Sequence, residues 1–305
     1  MSLILSTAFL AEVVQLTVTI AIAALGEVIV ERSGVFNIGI EGVMLCGAFG
    51  AVWGAQLFGS AAMGVVFALL VGLGAGLALA FPMVTMRLDQ IVIGIVFTIF
   101  ALGLTSFLND LVFSGRGSGE HQLVPVAVPL LHRVPVLGPA LFQQVPLTYG
   151  GYGLVLLLTW WLYRTRGGLL VRATGENPAA VDFAGHNVTR IRYGALCVGG
   201  MTAATAGSII SLSSGGIFVD NMTGGRGWIA LIAVMLGRWR PWPTVAACAL
   251  FGIGDALQFR LQAISSQLPL EFFYALPYLL TLVVLVSVGG RARQPASLGV
   301  AYERE

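Results

Sequence analysis

Long apolar runs of about twenty residues, separated by short polar clusters, set the pattern of this chain. A helix needs about 20 mainly apolar residues to cross roughly 30 Å of hydrocarbon. By that length the runs predict spanning helices near residues 5–26, 38–58, 62–82, 90–109, 147–163, 192–212, 227–240, 243–262 and 271–289. The seventh is short and reads as a half-helix. The first has no Arg before Arg32, so it reads as a retained helix rather than a cleaved signal peptide.

Two longer connections stand out. Segment 110–146 is rich in Pro and Gly, and its apolar content suggests that it lies against the membrane or carries a short re-entrant piece. Segment 164–191 is the most polar part of the chain. Within the spans, Gly72, Gly74 and Gly76, and Gly50 with Gly54, supply the small residues that let helix backbones approach closely in lipid. Some mark broken helices if the molecule is a transporter.

Composition narrows the class. Of 305 residues, 57% are hydrophobic and 10% charged, against about 25% charged in a soluble domain. With a mean hydropathy of +0.90, too little polar surface remains to coat a globule in water. Soluble enzyme, disordered linker, collagen and nucleic-acid binder are excluded as classes, and no nucleic-acid partner is expected. The fold class is all-α: a polytopic transmembrane helix bundle of about nine spans, with no composition break to mark a second domain.

All 16 basic residues are Arg. Without Lys the chain has neither a phosphate-cradling P-loop nor a Schiff base, so any ATP involved is bound by another subunit and the chain itself carries no cofactor. The Arg residues also orient it. With 164–191 in the cytoplasm, twelve of them fall inside and Arg116, Arg133, Arg226 and Arg260 fall outside or near that face. This puts the N-terminus out and the C-terminus in. The three Cys and three His are scattered without metal-ligand spacing, so no metal site is expected.

Four polar segments interrupt the apolar pattern. Between the first two spans, GEVIVERSGVFNIGIEG covers residues 26–42. Glu27 and Glu31 are four apart, on one helical face, and repel unless Arg32 or water intervenes. They belong either to an interfacial loop capped by Ser33 or Asn37, with the acids in headgroup water, or to a functional cluster at membrane depth. Glu41 lies deeper and reads as an inward-facing structural or path residue, with Asn37 opening its span. In the cytoplasmic loop, Asn177 suits an N-cap, Pro178 the first helical position and Gly185 the stop. A helix from Pro178 to Ala184 results. It is too short to stand alone in water and therefore needs a partner surface: its own bundle, or a soluble subunit whose cleft admits Ala179 and Ala180. The third segment, Asp220–Ala230, is a Gly-rich turn entering a short apolar run that Trp residues flank. The fourth puts Asp255, Gln258 and Gln262 on one helical face, turned to the bundle interior either as interhelical hydrogen bonds or as part of a wet path.

In this order, the segments resemble the permease subunits of bacterial ABC importers for sugars, nucleosides and branched-chain amino acids. The run GExxxERSGVxNIGxEG from Gly26, the GENPAA from Gly175, the MTGGRGWIAL from Met222 and the DALQFRLQ from Asp255 are similar above all to the nucleoside (simple-sugar) permeases, over about residues 20–290. The resemblance implies one transmembrane permease domain at 1–290, a cytoplasmic coupling loop at 164–191 within it and a cytoplasmic tail at 291–305. It implies a transport subunit, not an enzyme, in the bacterial cytoplasmic (inner) membrane. Its partners would be two cytoplasmic ATP-binding subunits, a second permease (identical or paralogous) and an extracytoplasmic substrate-binding protein. Gly175, Glu176, Asn177, Pro178, Ala179, Ala180, Asp182, Phe183 and Gly185 would couple to the ATPase, and Asn37, Glu41, Asp255 and Gln258 are candidates for the substrate path. Ribose or a branched-chain amino acid is the alternative cargo. An ion-coupled secondary transporter is the alternative class, since it too uses broken helices and intramembrane acids. An intramembrane enzyme with Ser213 or Ser214 as nucleophile lacks a His in any predicted span to act as base.

Overall fold

The computed structural model describes residues 6–113, 119, 121–129, 137–264 and 293–303. It is mostly helical: α1 (Thr7–Arg32), α2 (Ile40–Phe58), α3 (Ala61–Ala80) running into a π-helical turn at Phe81–Thr85, α4 (Gln90–Phe113), β1 (Val126–Ala127), α5 (Leu137–Phe142), β2 (Gln143–Gln144), α6 (Pro146–Arg164), α7 (Arg166–Glu176), α8 (Pro178–Phe183), α9 (Val188–Ser213), α10 (Arg226–Leu236) and α11 (Pro241–Ile264). Among the described residues six helices are long and apolar enough to cross a membrane: α1, α2, α3 with its π turn, α4, α9 and α11. The apolar run at 147–163 folds as α6, as long as α2. The run at 227–240 does not form one span. Helix α10 has 11 residues and ends at Leu236, where Arg238 and Trp239 turn the chain through positive φ. At 1.5 Å per residue that is about half a bilayer. The expected span at 271–289 lies outside the described residues.

Helix α9 is the hub, packed along α1, α2 and α3, while α1 also lies against α11. Small residues make this possible. A Cβ on Gly200 would run into the carbonyl oxygen of Gly72, and one on Gly207 into that of Met44, so α9 sits backbone to backbone on α3 and α2. Apolar side chains on the far faces of α3 and α4, including Leu70, Ile99, Phe107 and Leu111, are exposed. A soluble monomer does not leave so large an apolar surface in water, and this one suits lipid or another membrane subunit.

The segment expected along the membrane surface caps one end of the bundle. Strands β1 and β2 pair antiparallel, Val126 opposite Gln144 and Ala127 opposite Gln143. The Gln144 amide nitrogen donates to the carbonyls of Ala11 (3.0 Å) and Ala140 (2.8 Å), and the Leu123 N–H donates to Leu212 O. At the opposite end lie the close of α1, helices α7 and α8, and the tail 293–303.

Candidate functional site

Helix α1 runs six residues past its expected end and carries Glu27 and Glu31 into the protein interior, where they are 1% and 0% exposed. They are therefore not headgroup acids. Glu27 accepts a hydrogen bond from the Asn37 side chain at 3.2 Å, and Glu31 accepts one from the Trp239 indole N–H. The remaining oxygen of each carboxylate and the Asn37 carbonyl oxygen have no hydrogen-bond partner among the described residues. Arg32 turns away from both acids. It donates to Trp239 O at 2.9 Å and faces Glu176 at 3.9 Å. Ser33 closes the helix, its hydroxyl donating to Val30 O.

The turn after Ser33 meets the polar segment 164–191 directly. Gly34 takes a positive φ of 88°, and Gly175 lies so close to the Arg32 carbonyl that a Cβ there would collide with it. Residues 166–176, expected as loop, form α7. Thr165 caps it by accepting from the Gly168 N–H at 3.1 Å. Gly168 has no room for a Cβ beside the carbonyl of Trp161, so a residue type that disfavours helix is required here by packing. Asn177 then caps α8, its oxygen accepting from the Ala180 N–H at 3.1 Å. Gly185 ends it with φ at +83°. Val181 anchors α8 to the bundle. Ala180, Ala184 and Gly185 face outward, and Phe183 is 86% exposed.

The tail straps this end. Ser297 N–H donates to Gly175 O (2.8 Å) and Gly299 N–H to Gly34 O (3.1 Å). The buried guanidinium of Arg192 donates to Ser33 O (3.3 Å) and Val300 O (3.0 Å). Tyr302 hydroxyl reaches Asp182 at 3.0 Å, and Arg87 pairs with Glu303 at 2.7 Å.

The Gly-rich third segment serves Glu41. One carboxylate oxygen accepts from the Thr223 hydroxyl (2.6 Å) and the Gly225 N–H (2.9 Å), and the other from the Gly227 N–H (2.6 Å). An acid in the first turn of α2 thus satisfies the open N-terminus of α10, where free N–H groups and the helix dipole favour an anion. Gly227 is required, because a Cβ would sit 2.6 Å from Glu41 Cα.

Asp255 and Gln258 are buried on α11, and Asp255 faces Arg226 at 3.7 Å. Arg226 in turn lines a cavity of about 230 Å³ between α1, the end of α9 and the turn before α10, with Gln15, Thr19, Ser213, Ser214 and Met222 among its walls. The candidate path residues therefore fall into three places: Asn37 with Glu27, Glu41 on the Gly-rich turn, and Asp255 with Gln258 behind the cavity. Gln15 and Thr19 were not singled out in the sequence, yet a lone Gln within an apolar span is itself a signal of an interior-facing position.

Geometry and exposed apolar surface define a polytopic helical membrane protein with a short helix held out from one end. The family described as "Branched-chain amino acid transport system / permease component" matches residues 9–285, and the chain belongs to it. It is 33% identical to the guanosine ABC transporter permease protein NupQ of Bacillus subtilis over 92% of both chains. It is 33% identical to the nucleoside ABC transporter permease protein NupC of Lactococcus lactis, over 92% of this chain and 91% of that one. A provisionally named glucose ABC transporter permease protein of Haloferax volcanii, TsgC13, is 32% identical over 96% of both chains. No solved structure matches significantly.

Proposed function

We propose that this chain is the membrane permease subunit of a bacterial ABC importer, forming half of the translocation path. It couples ATP hydrolysis by two cytoplasmic subunits to uptake of a nucleoside or related simple sugar. A second permease, identical or paralogous, completes the path, and an extracytoplasmic binding protein delivers the solute. The chain crosses the cytoplasmic membrane about nine times, with the N-terminus out, residues 1–290 as the permease domain, 164–191 as the coupling loop and 291–305 as the tail. ATP stays with the partner subunits, and the permease itself needs no cofactor or metal.

The observation that carries this reading is the setting of α8. A two-turn helix is marginal by itself, yet this one is capped at both ends, anchored by Val181 and otherwise presented outward with Phe183 at its tip. Its base, Glu176 and Gly175, touches the end of α1. A push on α8 therefore reaches a helix that runs the length of the bundle. An ion-coupled transporter has no use for such a helix.

Relatives named for nucleosides favour that cargo over ribose or an amino acid. The cavity beside Arg226 suits a neutral hydroxylated solute, with Gln15, Thr19 and Ser213 as hydrogen-bonding groups against an apolar wall. Asp255 and Gln258 support it from behind, and Asn37 and Glu41 hold the helices around the path.

Ala179→Arg and Ala180→Arg test the coupling. Ala180 is exposed and Ala179 half-buried, and each substitution places a long cation where a small face must enter a cleft. The expected result is normal membrane insertion with uptake abolished. Uptake at the normal rate in both variants would remove docking through α8.

A further inference from the structure

We propose that a cleft at the α7–α8 end of the bundle binds the phosphate of an anionic phospholipid. Four elements converge there: the end of α1 gives Arg32, the end of α6 gives Tyr163, α7 gives Arg172, and the entry to α11 gives Arg240, Pro241, Trp242 and Pro243. Together they line an open cavity of about 520 Å³.

Three guanidinium groups meet in this cleft, and Arg172 and Arg240 both stand close enough to Arg32 to repel it. Glu176, at 3.9 Å from Arg32 and largely exposed, is the carboxylate paired there. Arg172 lies over the Tyr163 ring at 5.0 Å and makes a long bond to Gly168 O. Among the described residues neither Arg172 nor Arg240 has a carboxylate partner. A net positive charge thus remains in the cleft after Glu176 is counted. Planar Arg forks bind phosphate oxygens bidentately, and basic pockets between helices on the cytoplasmic side suit anionic lipid headgroups.

The surroundings favour a lipid over a soluble anion. Trp242 is 54% exposed, Tyr163 and Pro243 are exposed in the same cleft, and Trp160 is exposed one turn before Tyr163 on α6. Amphipathic rings at helix ends mark the headgroup level, so acyl chains would run along the apolar side of α6 while the phosphate sits among the guanidiniums. The site also lies on the link between α1 and α7. A bound headgroup would draw Arg32, Arg172 and Arg240 together and stiffen that joint.

The test uses the full chain in lipid nanodiscs, with Arg172→Gln/Arg240→Gln as the variant. Arg32 is left intact because it also holds Trp239. Wild-type protein in discs containing phosphatidylglycerol or cardiolipin should unfold at a higher temperature than in pure phosphatidylcholine, and native mass spectrometry should show an anionic lipid retained. Both effects should vanish in the double Gln variant and return in part in Arg172→Lys/Arg240→Lys. Three results would overturn the proposal. Anionic lipid retained equally by the Gln variant would place it elsewhere on the surface. Inorganic phosphate protecting wild type as well as lipid does would make this a soluble-anion site. Loss of ATPase-subunit binding in the variant, with lipid retention unchanged, would make it a protein contact.

Discussion

Replacing Glu41 by Ala should stop the protein from accumulating as a folded membrane species. The Thr223 hydroxyl and the Gly225 and Gly227 N–H groups all point at one buried carboxylate. An orphaned buried donor costs about 1–3 kcal/mol, and three are orphaned at once. The loss also takes away the anion that complements the α10 N-terminus. Together these approach the whole stability of an ordinary domain, about 5–15 kcal/mol. Glu41→Gln should fall between, because its carbonyl still accepts while its NH2 opposes the N–H donors. The yield of monodisperse protein extracted from membranes, with its melting temperature, gives the answer. Normal yield with lost uptake in Glu41→Ala would mean that the carboxylate acts on solute instead of joining helices.

The same clasp shows what a single sequence can and cannot disclose. Glu41 was recognisable as an intramembrane acid, because such groups are expensive unless satisfied. Its partners lie more than 180 residues away in the chain, and no local pattern links a Gly-rich turn to an acid at that distance. The opposite holds for α8. An N-cap oxygen, a Pro at the first position and a Gly at the stop act within one or two turns, so Asn177, Pro178 and Gly185 could be read directly from order, and the helix ends within a residue of the expected place.

Charges misled the reading of α1. Glu27 and Glu31 looked like the end of a span, but Asn37 and Trp239 receive them inside the protein and the helix continues to Arg32. Polarity, which makes 164–191 read as a connection, hid α7. Gly167 and Gly168 argue against helix in isolation, whereas the contact of Gly168 with the Trp161 carbonyl admits nothing larger. In each case a contact with a neighbouring element, near or far in the chain, overrode a sound local preference. The run at 227–240 is the half-helix its shortness suggested: α10 stops at Leu236, and only the stretch Gly237–Arg240, where Arg238 and Trp239 take positive φ, lies outside the helix.

Deleting the chain after Arg293 should uncouple transport while leaving the bundle inserted. The strap ties four elements that otherwise meet edge to edge: Gly175 near the end of α7, Gly34 after α1, Arg192 at the start of α9 and Asp182 on α8. Arg192 is the costly member. It is buried, and without Val300 its guanidinium keeps one carbonyl, Ser33 O, among the described residues. Losing a buried pairing of this kind costs about 1–3 kcal/mol, and about 1.4 kcal/mol of that is already tenfold in the population of the correctly seated end. A push on α8 would then be spent on rocking α7 and α8 against α9, and less of it would reach α1. Uptake per inserted molecule should therefore fall by about that tenfold factor, while ATP hydrolysis by the assembled complex continues, so that solute moved per ATP declines. Tyr302→Phe removes the hydroxyl bond to Asp182 alone and should have a small effect. Arg192→Ala should reproduce most of the deletion, because it cuts both the tail and the turn after α1 from the same helix. An unchanged ratio of solute to ATP in the deletion would show that the end of the bundle holds its shape without the strap, and that force reaches α1 through Gly175 and Glu176 alone.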